Sequence, residues 1–352
     1  MRQHPQRRGE LMSEVPVKPI LPPVVIFGTG LTRQLLSHSE GTPDIGLVTP
    51  NIETLVSWEQ LLLGAALRGR AAEDRHAPLI KRPTLFWEEL VRQISNAPEF
   101  HSGHVSAAQA ERYLRTLVAE CLKAATTAAR DQTNIAKIET LLAKSGTHLV
   151  SLNFDTLPFQ SELGGQPLRF DRTVKPRLDY LETAGKTVWF PHGCIEAPSH
   201  IKLGIRDYGF LPKRWEELFR YFKSWQRSLG GVKGATSEHI HAESIRWLRS
   251  APSKDPTVFI GNILLAPLIF FGVGLSESEW GWWWILNQRA RNLNRVPRER
   301  RPSTVSVRIA TDFDVDFWKC TPAGVNPILV PDWDLGWDRL IGWLESQNEL
   351  LD

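Results

Sequence analysis

The feature that most limits what this chain can become is a series of short, almost wholly apolar runs set between helical stretches. They open the stretches "PPVVIFGTGLTRQLL" (22–36), "THLVSLNFD" (147–155), "KTVWFPHG" (186–193), "PLIFFGVGL" (267–275), "TVSVRIATD" (304–312) and "NPILV" (326–330). A strand that is apolar on both faces has to be covered on both faces, and strands that alternate with helices pair in parallel. The expectation is an α/β fold with a doubly wound, mainly parallel sheet. With 352 residues, 42% of them hydrophobic, the chain can bury a sizeable core.

The pass along the chain gives a disordered tail over 1–18 and one domain over 19–352, with a helical insertion at about 54–145. "TLVSWEQLLLGAAL", "TLFWEELVRQI" and "SAAQAERYLRTLVAECLKAATTAAR" carry apolar residues at helical spacing. Further helices are expected at "RWEELFRYFKSWQ", "AESIRWLRS" and "WDRLIGWLESQNELL", and "IKLGIRDYGF" reads as irregular chain. Four of the 14 tryptophans fall at Trp280, Trp282, Trp283 and Trp284. They cannot share one helix face, so some are expected in the core and others against a neighbouring subunit or a partner.

Charge and cysteine count exclude several function classes. A net charge of +3 is no nucleic-acid footprint. Arg2, Arg7 and Arg8 and the run "RVPRERR" (295–301) read as a solvated tail and a loop. The three cysteines, Cys121, Cys194 and Cys320, are far apart, with no C-x-x-C pair. That excludes a four-cysteine zinc module and a disulfide framework. The opening "MRQHPQRRGELMSE" has no secretory leader, and the longest apolar run, "ILLAPLIFFGVGL", is too short to span a bilayer. A reducing, cytoplasmic setting without membrane attachment is expected.

Four strand ends carry candidate chemistry. The first is the turn Gly28, Thr29, Gly30, Leu31, Thr32, where glycines let a ligand approach the backbone and the following helix offers free N–H groups. The second holds Asn153 and Asp155. The third holds His192, followed by Gly193; histidine changes charge near neutral pH and is a candidate base. The fourth is a second glycine-rich turn with Gly272, Gly274, Leu275, Ser276 and Glu277. In a doubly wound sheet the carboxyl ends of the strands line one crevice. The four stretches would then form one site with two backbone cradles, an amide, a carboxylate and an imidazole. It contains no nucleophile elbow and no metal-ligand cluster.

The order "FGTGLT", "NFD", "HG", "FFGVGLSESE" resembles the sirtuin superfamily, in which a glycine-rich turn, Asn-x-Asp, His-Gly and a late Gly-x-Ser turn follow in that sequence. The likeness covers roughly residues 22–340. Two departures stand out: the zinc module cannot be built here, and "RQLLSHSEG" replaces the family's Gly-Ile-Pro-x-Phe-Arg segment. What remains is similar to the zinc-free sirtuin-like domains of bacterial antiphage systems. That resemblance implies a Rossmann-like fold with a helical insertion in place of the zinc module. It also implies hydrolysis of NAD+ to nicotinamide and ADP-ribose without a metal, in a homo-oligomer or with a separately encoded defence partner.

The roles it implies are these. The turn Gly28–Thr32 would hold the pyrophosphate, with Thr32 capping the helix. Gly272, Gly274, Leu275, Ser276 and Glu277 would hold the adenosine half. Asn153, Asp155 and His192 would face the nicotinamide ribose. Two alternatives stand beside it: an NAD-dependent protein deacylase, and a non-catalytic module that binds a nucleotide or ADP-ribose.

Overall fold

A computed structural model of the chain describes residues 21–36, 83–96, 106–129, 134–146, 148–159, 178–183, 185–229, 236–275, 279–294, 296–312 and 324–349. The expected tail over 1–18, the expected helix at "TLVSWEQLLLGAAL", and Ser276 and Glu277 lie outside the described residues.

Seven strands form one sheet: β1 (Val24–Phe27), β2 (His148–Ser151), β3 (Asp179–Thr183), β4 (Lys186–Phe190), β5 (Leu268–Phe271), β6 (Thr304–Ile309) and β7 (Asn326–Val330). Their spatial order is β3-β4-β2-β1-β5-β6-β7. Every pairing is parallel except β3 with β4, which is antiparallel. Without that edge hairpin the six parallel strands run third, second, first, fourth, fifth, sixth in chain order. This is the order of doubly wound dinucleotide-binding sheets, and it reverses direction between β1 and β5.

Both faces are covered, as the unbroken apolar strands require. Val24, Ile26, Leu268 and Phe270 point to one side. There they meet α5 (Ile205–Leu229), α6 (Ser237–Ser250), α7 (Pro256–Leu265) and α8 (Trp280–Leu293). Val25, Phe27, Ile269 and Phe271 point to the other, against α1 (Thr29–Leu36), α4 (Ile135–Lys144) and α9 (Trp333–Asn348). The period of two along each strand sorts the residues into these layers.

The remaining helices, α2 (Pro83–Asn96) and α3 (Ala107–Ala129), lie in the long crossover from β1 to β2. They bury a separate apolar cluster with Phe154, Ile195, Ile201 and Leu203, residues that follow β2 and β4. Arg115 of α3 fastens this body to the rest. Its guanidinium lies over the Trp87 ring, donates to the Ile201 carbonyl and pairs with Asp207 at 2.7 Å.

Three elements differ from the expectation. Strand β3 was not expected; "DYLET" pairs antiparallel with β4 from Thr183 opposite Lys186, and Gly185, immediately before β4, takes φ +72. Helix α5 begins at Ile205, so "IKLGIRDYGF" is largely helical, and the helix runs through Pro212. Helix α7 occupies the start of the long apolar run. It is buried on all sides between the sheet and its neighbouring helices, so it shows no amphipathic period. Among the described residues of "RVPRERR", Arg298–Arg300 form a 3-10 turn with Arg298 and Arg300 exposed, and Arg301 donates to the Val296 carbonyl, in keeping with the expected solvated loop. Of the four clustered tryptophans, Trp282 is buried, Trp283 and Trp284 are half-buried, and Trp280 is exposed.

Candidate functional site

The reversal of strand order sets the C-terminal ends of β1 and β5 side by side, and the two glycine-rich turns interlock there. Gly28 N–H donates to the Phe271 carbonyl at 3.0 Å, and Gly30 N–H lies 3.5 Å from the Gly272 carbonyl. A Cβ on Gly28 would stand 2.6 Å from Gly272 O. One on Gly272, which adopts φ +63, would stand 2.2 Å from Gly30 Cα. These glycines are thus required by backbone packing on each other, and two amides expected to face a ligand are turned toward the neighbouring strand. Beyond Gly272 the chain stays strained: Leu275, a buried core residue, sits at φ +45. A leucine in the left-handed region costs about 1 kcal/mol and marks an over-determined segment. Gly274 is exposed, and its carbonyl accepts from Arg308 at 2.6 Å.

Within the first turn, Leu31 is core, packed with Leu35 against the sheet. Thr29 starts α1. Thr32 was expected to cap that helix. It lies in its fourth position instead and works sideways: its buried hydroxyl accepts from Asn153 Nδ2 at 3.3 Å and lies 3.5 Å from Asp155 Oδ1. The hydroxyl therefore orients the amide that ends β2. Asp155 is buried and Asn153 half-buried. The backbone carbonyl of Asn153 accepts from Ser151 Oγ at 3.2 Å, whereas its side-chain Oδ1 carries no hydrogen bond among the described residues.

His192 follows β4, the next strand outward. A tight turn fixes it, with Gly193 N–H donating to the Phe190 carbonyl at 3.0 Å. Gly193 takes φ +83, and a Cβ there would lie 2.3 Å from His200 O. The His192 carbonyl accepts from Lys202 N–H at 2.8 Å, which clamps the turn from below. The ring is buried. It donates to the Leu152 carbonyl, immediately before Asn153, while Nε2 is buried without a hydrogen-bond partner among the described residues. The donor is therefore Nδ1, and Nε2 presents a lone pair. Burial pushes the imidazole pKa down to about 4, with Lys202 adding to the effect. At neutral pH the ring is uncharged.

Facing that lone pair is a residue that sequence reasoning missed. Glu279 Oε2 lies 3.8 Å from His192 Nε2. Glu279 immediately precedes α8, the N-cap position, yet its side chain makes no capping hydrogen bond. Burial raises its pKa to about 7. The Tyr208 ring of α5 lies tilted at 57° beside that of His192, with ring centroids 5.5 Å apart. Its phenol is held well above the usual range by burial and by the carboxylates of Glu279 and Asp207. Nothing in "LSESEW" distinguishes Glu279 from Glu277; the start of α8 does.

The structure thus connects Gly28, Gly30 and Gly272 by backbone contact, Thr32, Asn153 and Asp155 by hydroxyl and amide, and His192 to β2 through Leu152. All stand at the C-terminal ends of β1, β2, β4 and β5. Cys194, two residues beyond His192, is buried with its thiol pushed up to about 12 by burial, which removes it as a nucleophile. Among the described residues no group of His, Cys, Asp and Glu is arranged to hold a metal ion. No helix among them is long and apolar enough to cross a membrane. A cleft of about 280 Å³ lined by Lys202, Asp207, Leu211, Lys213, Arg214 and Glu217 flanks this assembly along α5. It does not lie over the strand ends.

No model of a known protein family matches the sequence, and no curated protein matches it.

Proposed function

We propose that this chain is a sirtuin-like NAD+ glycohydrolase that splits NAD+ into nicotinamide and ADP-ribose, and that it serves as the NAD-depleting effector of an antiphage system. One observation carries the reading. The strand order brings two glycine turns, an oriented carboxamide and a buried imidazole with an unpaired Nε2 to the crevice where doubly wound sheets bind dinucleotides. The helical body of α2 and α3 occupies, on this reading, the place of the sirtuin zinc module.

NAD+ would lie across the switch point, its pyrophosphate toward the start of α1 and its adenosine toward Gly274 and the segment after it. The nicotinamide ribose would lie toward Asn153 and His192. Cleavage of the glycosidic bond passes through an oxocarbenium-like state. Positioning and charge stabilisation serve it better than a strong nucleophile, which suits a site whose polar groups are fixed by Thr32 and Leu152. Asn153, held by Thr32, would position a ribose hydroxyl or the attacking water. Asp155 would brace Thr32.

The test is release of nicotinamide from NAD+ by the full-length protein, with and without an acylated peptide. Release without the peptide supports the glycohydrolase. Release only with it turns the reading to a deacylase, and tight binding of ADP-ribose without turnover turns it to a sensor.

A further inference from the structure

Resting on the glycohydrolase reading, we propose that Glu279 is the catalytic base of this site, and that His192 holds the attacking water for it.

The geometry is that of two acceptors with a missing donor. His192 Nδ1–H is committed to the Leu152 carbonyl, so Nε2 can only accept. Glu279 Oε2 stands 3.8 Å away, beyond direct hydrogen-bond distance. One water oxygen at about 2.8 Å from each atom could donate a hydrogen to both. Glu279 has no competing task among the described residues, since it neither caps α8 nor pairs with a cation. Both side chains stand at the ends of elements that reach the site: His192 in the turn after β4, and Glu279 at the start of α8.

The order of basicity then assigns the roles. His192 is held at about 4 and Glu279 at about 7, so a proton leaving the water goes to the carboxylate. In the step, the bond between the ribose C1′ and the nicotinamide nitrogen breaks and its electron pair leaves with the ring. The water oxygen bonds to C1′. One water proton passes to Glu279, which returns it to solvent, and ADP-ribose departs. The groups facing this pair are Tyr208, which responds to the Glu279 charge, and Lys202 and Asp207, which act on His192 and Tyr208 respectively. Tyr208 stays protonated throughout the relevant range, so the carboxylate sets the pH dependence.

The experiment is steady-state kinetics of nicotinamide release from NAD+ between pH 5 and 9. It compares the full-length wild type, Glu279→Gln, Glu279→Asp and Asn153→Ala. The expected result is a wild-type kcat that rises through a pKa of about 7. Glu279→Gln should lower kcat about 100-fold, flatten that rise and leave KM for NAD+ nearly unchanged. Glu279→Asp should retain part of the rate and the pH dependence. If Glu279→Gln keeps the wild-type kcat and pH profile while Asn153→Ala is silent, the role of Glu279 is overturned and the glycohydrolase reading stands. If the wild type releases no nicotinamide at any pH, both are overturned. An infrared titration of the wild type and Glu279→Gln gives a readout apart from turnover. A buried carboxyl that deprotonates near pH 7 only in the wild type supports the assignment, and its absence overturns it.

Discussion

His192 and Glu279 are both destabilised in their charged forms by burial, and in opposite pH ranges. Glu279 is raised from 4.5 to about 7. Below its unfolded value both states are protonated and there is no cost. As pH climbs to about 7 the unfolded chain ionises first and stability is lost, up to about 3 kcal/mol. His192, lowered from 6.5 to about 4, works the other way: stability is lost as pH falls from 6.5 toward 4. Glu279→Gln is therefore expected to raise the melting temperature at pH 8 and leave it nearly unchanged at pH 4.5, as calorimetry at the two values would read. An equal shift at both would mean that the carboxylate is solvated. Asn153 and His192 were legible in the sequence because polar residues ending apolar strands need a reason. Glu279 was not, because nothing in the sequence tells that a carboxylate preceding α8 comes within 3.8 Å of an imidazole that follows β4.

The interlocked turns after β1 and β5 give the clearest case in which local sequence was right for an incomplete reason. "GTG" and "GVG" were legible as glycine turns, and a ligand was the expected cause of the glycines. The closer cause is that Gly28, Gly30 and Gly272 pack backbone on backbone. Gly272→Ala meets both a clash at 2.2 Å and a positive φ, and should destabilise the fold by about 3 kcal/mol in urea unfolding. A loss below 1 kcal/mol would show that the turns can separate. The join between α3 and the segment after β4 was not legible, because Arg115, Ile201 and Asp207 are distant in sequence. Arg115→Ala leaves Asp207 without its buried partner. It should cost about 3 kcal/mol and lower hydrogen-exchange protection across residues 201–207 before the sheet opens. Unchanged protection there would deny that Arg115 fastens the two bodies. Helix α7 and strand β3 escaped notice for opposite reasons: α7 is too uniformly apolar to show a period, and β3 too mixed to read as a strand.

Across the molecule, the strand order does what no single motif does. It takes four segments spread from Gly28 to Glu279 and sets them at neighbouring strand ends. The alternation of apolar runs and helices made the layered, mainly parallel sheet legible. The position of the reversal between β1 and β5 was not, because strand order depends on long-range pairing. The account predicts a division between folding and function. Among the described residues Asn153, half-buried, is bonded to Thr32 and to its own turn alone, so truncating it should leave the fold intact and remove the chemistry. The most direct measurement is a time course of nicotinamide release from NAD+ by the purified full-length protein beside Asn153→Ala, with melting temperatures taken on the same samples. The account predicts release by the wild type, a loss of at least about 100-fold in the variant, and melting temperatures within a few degrees of each other. Equal release by the two proteins, or none by the wild type, would contradict it.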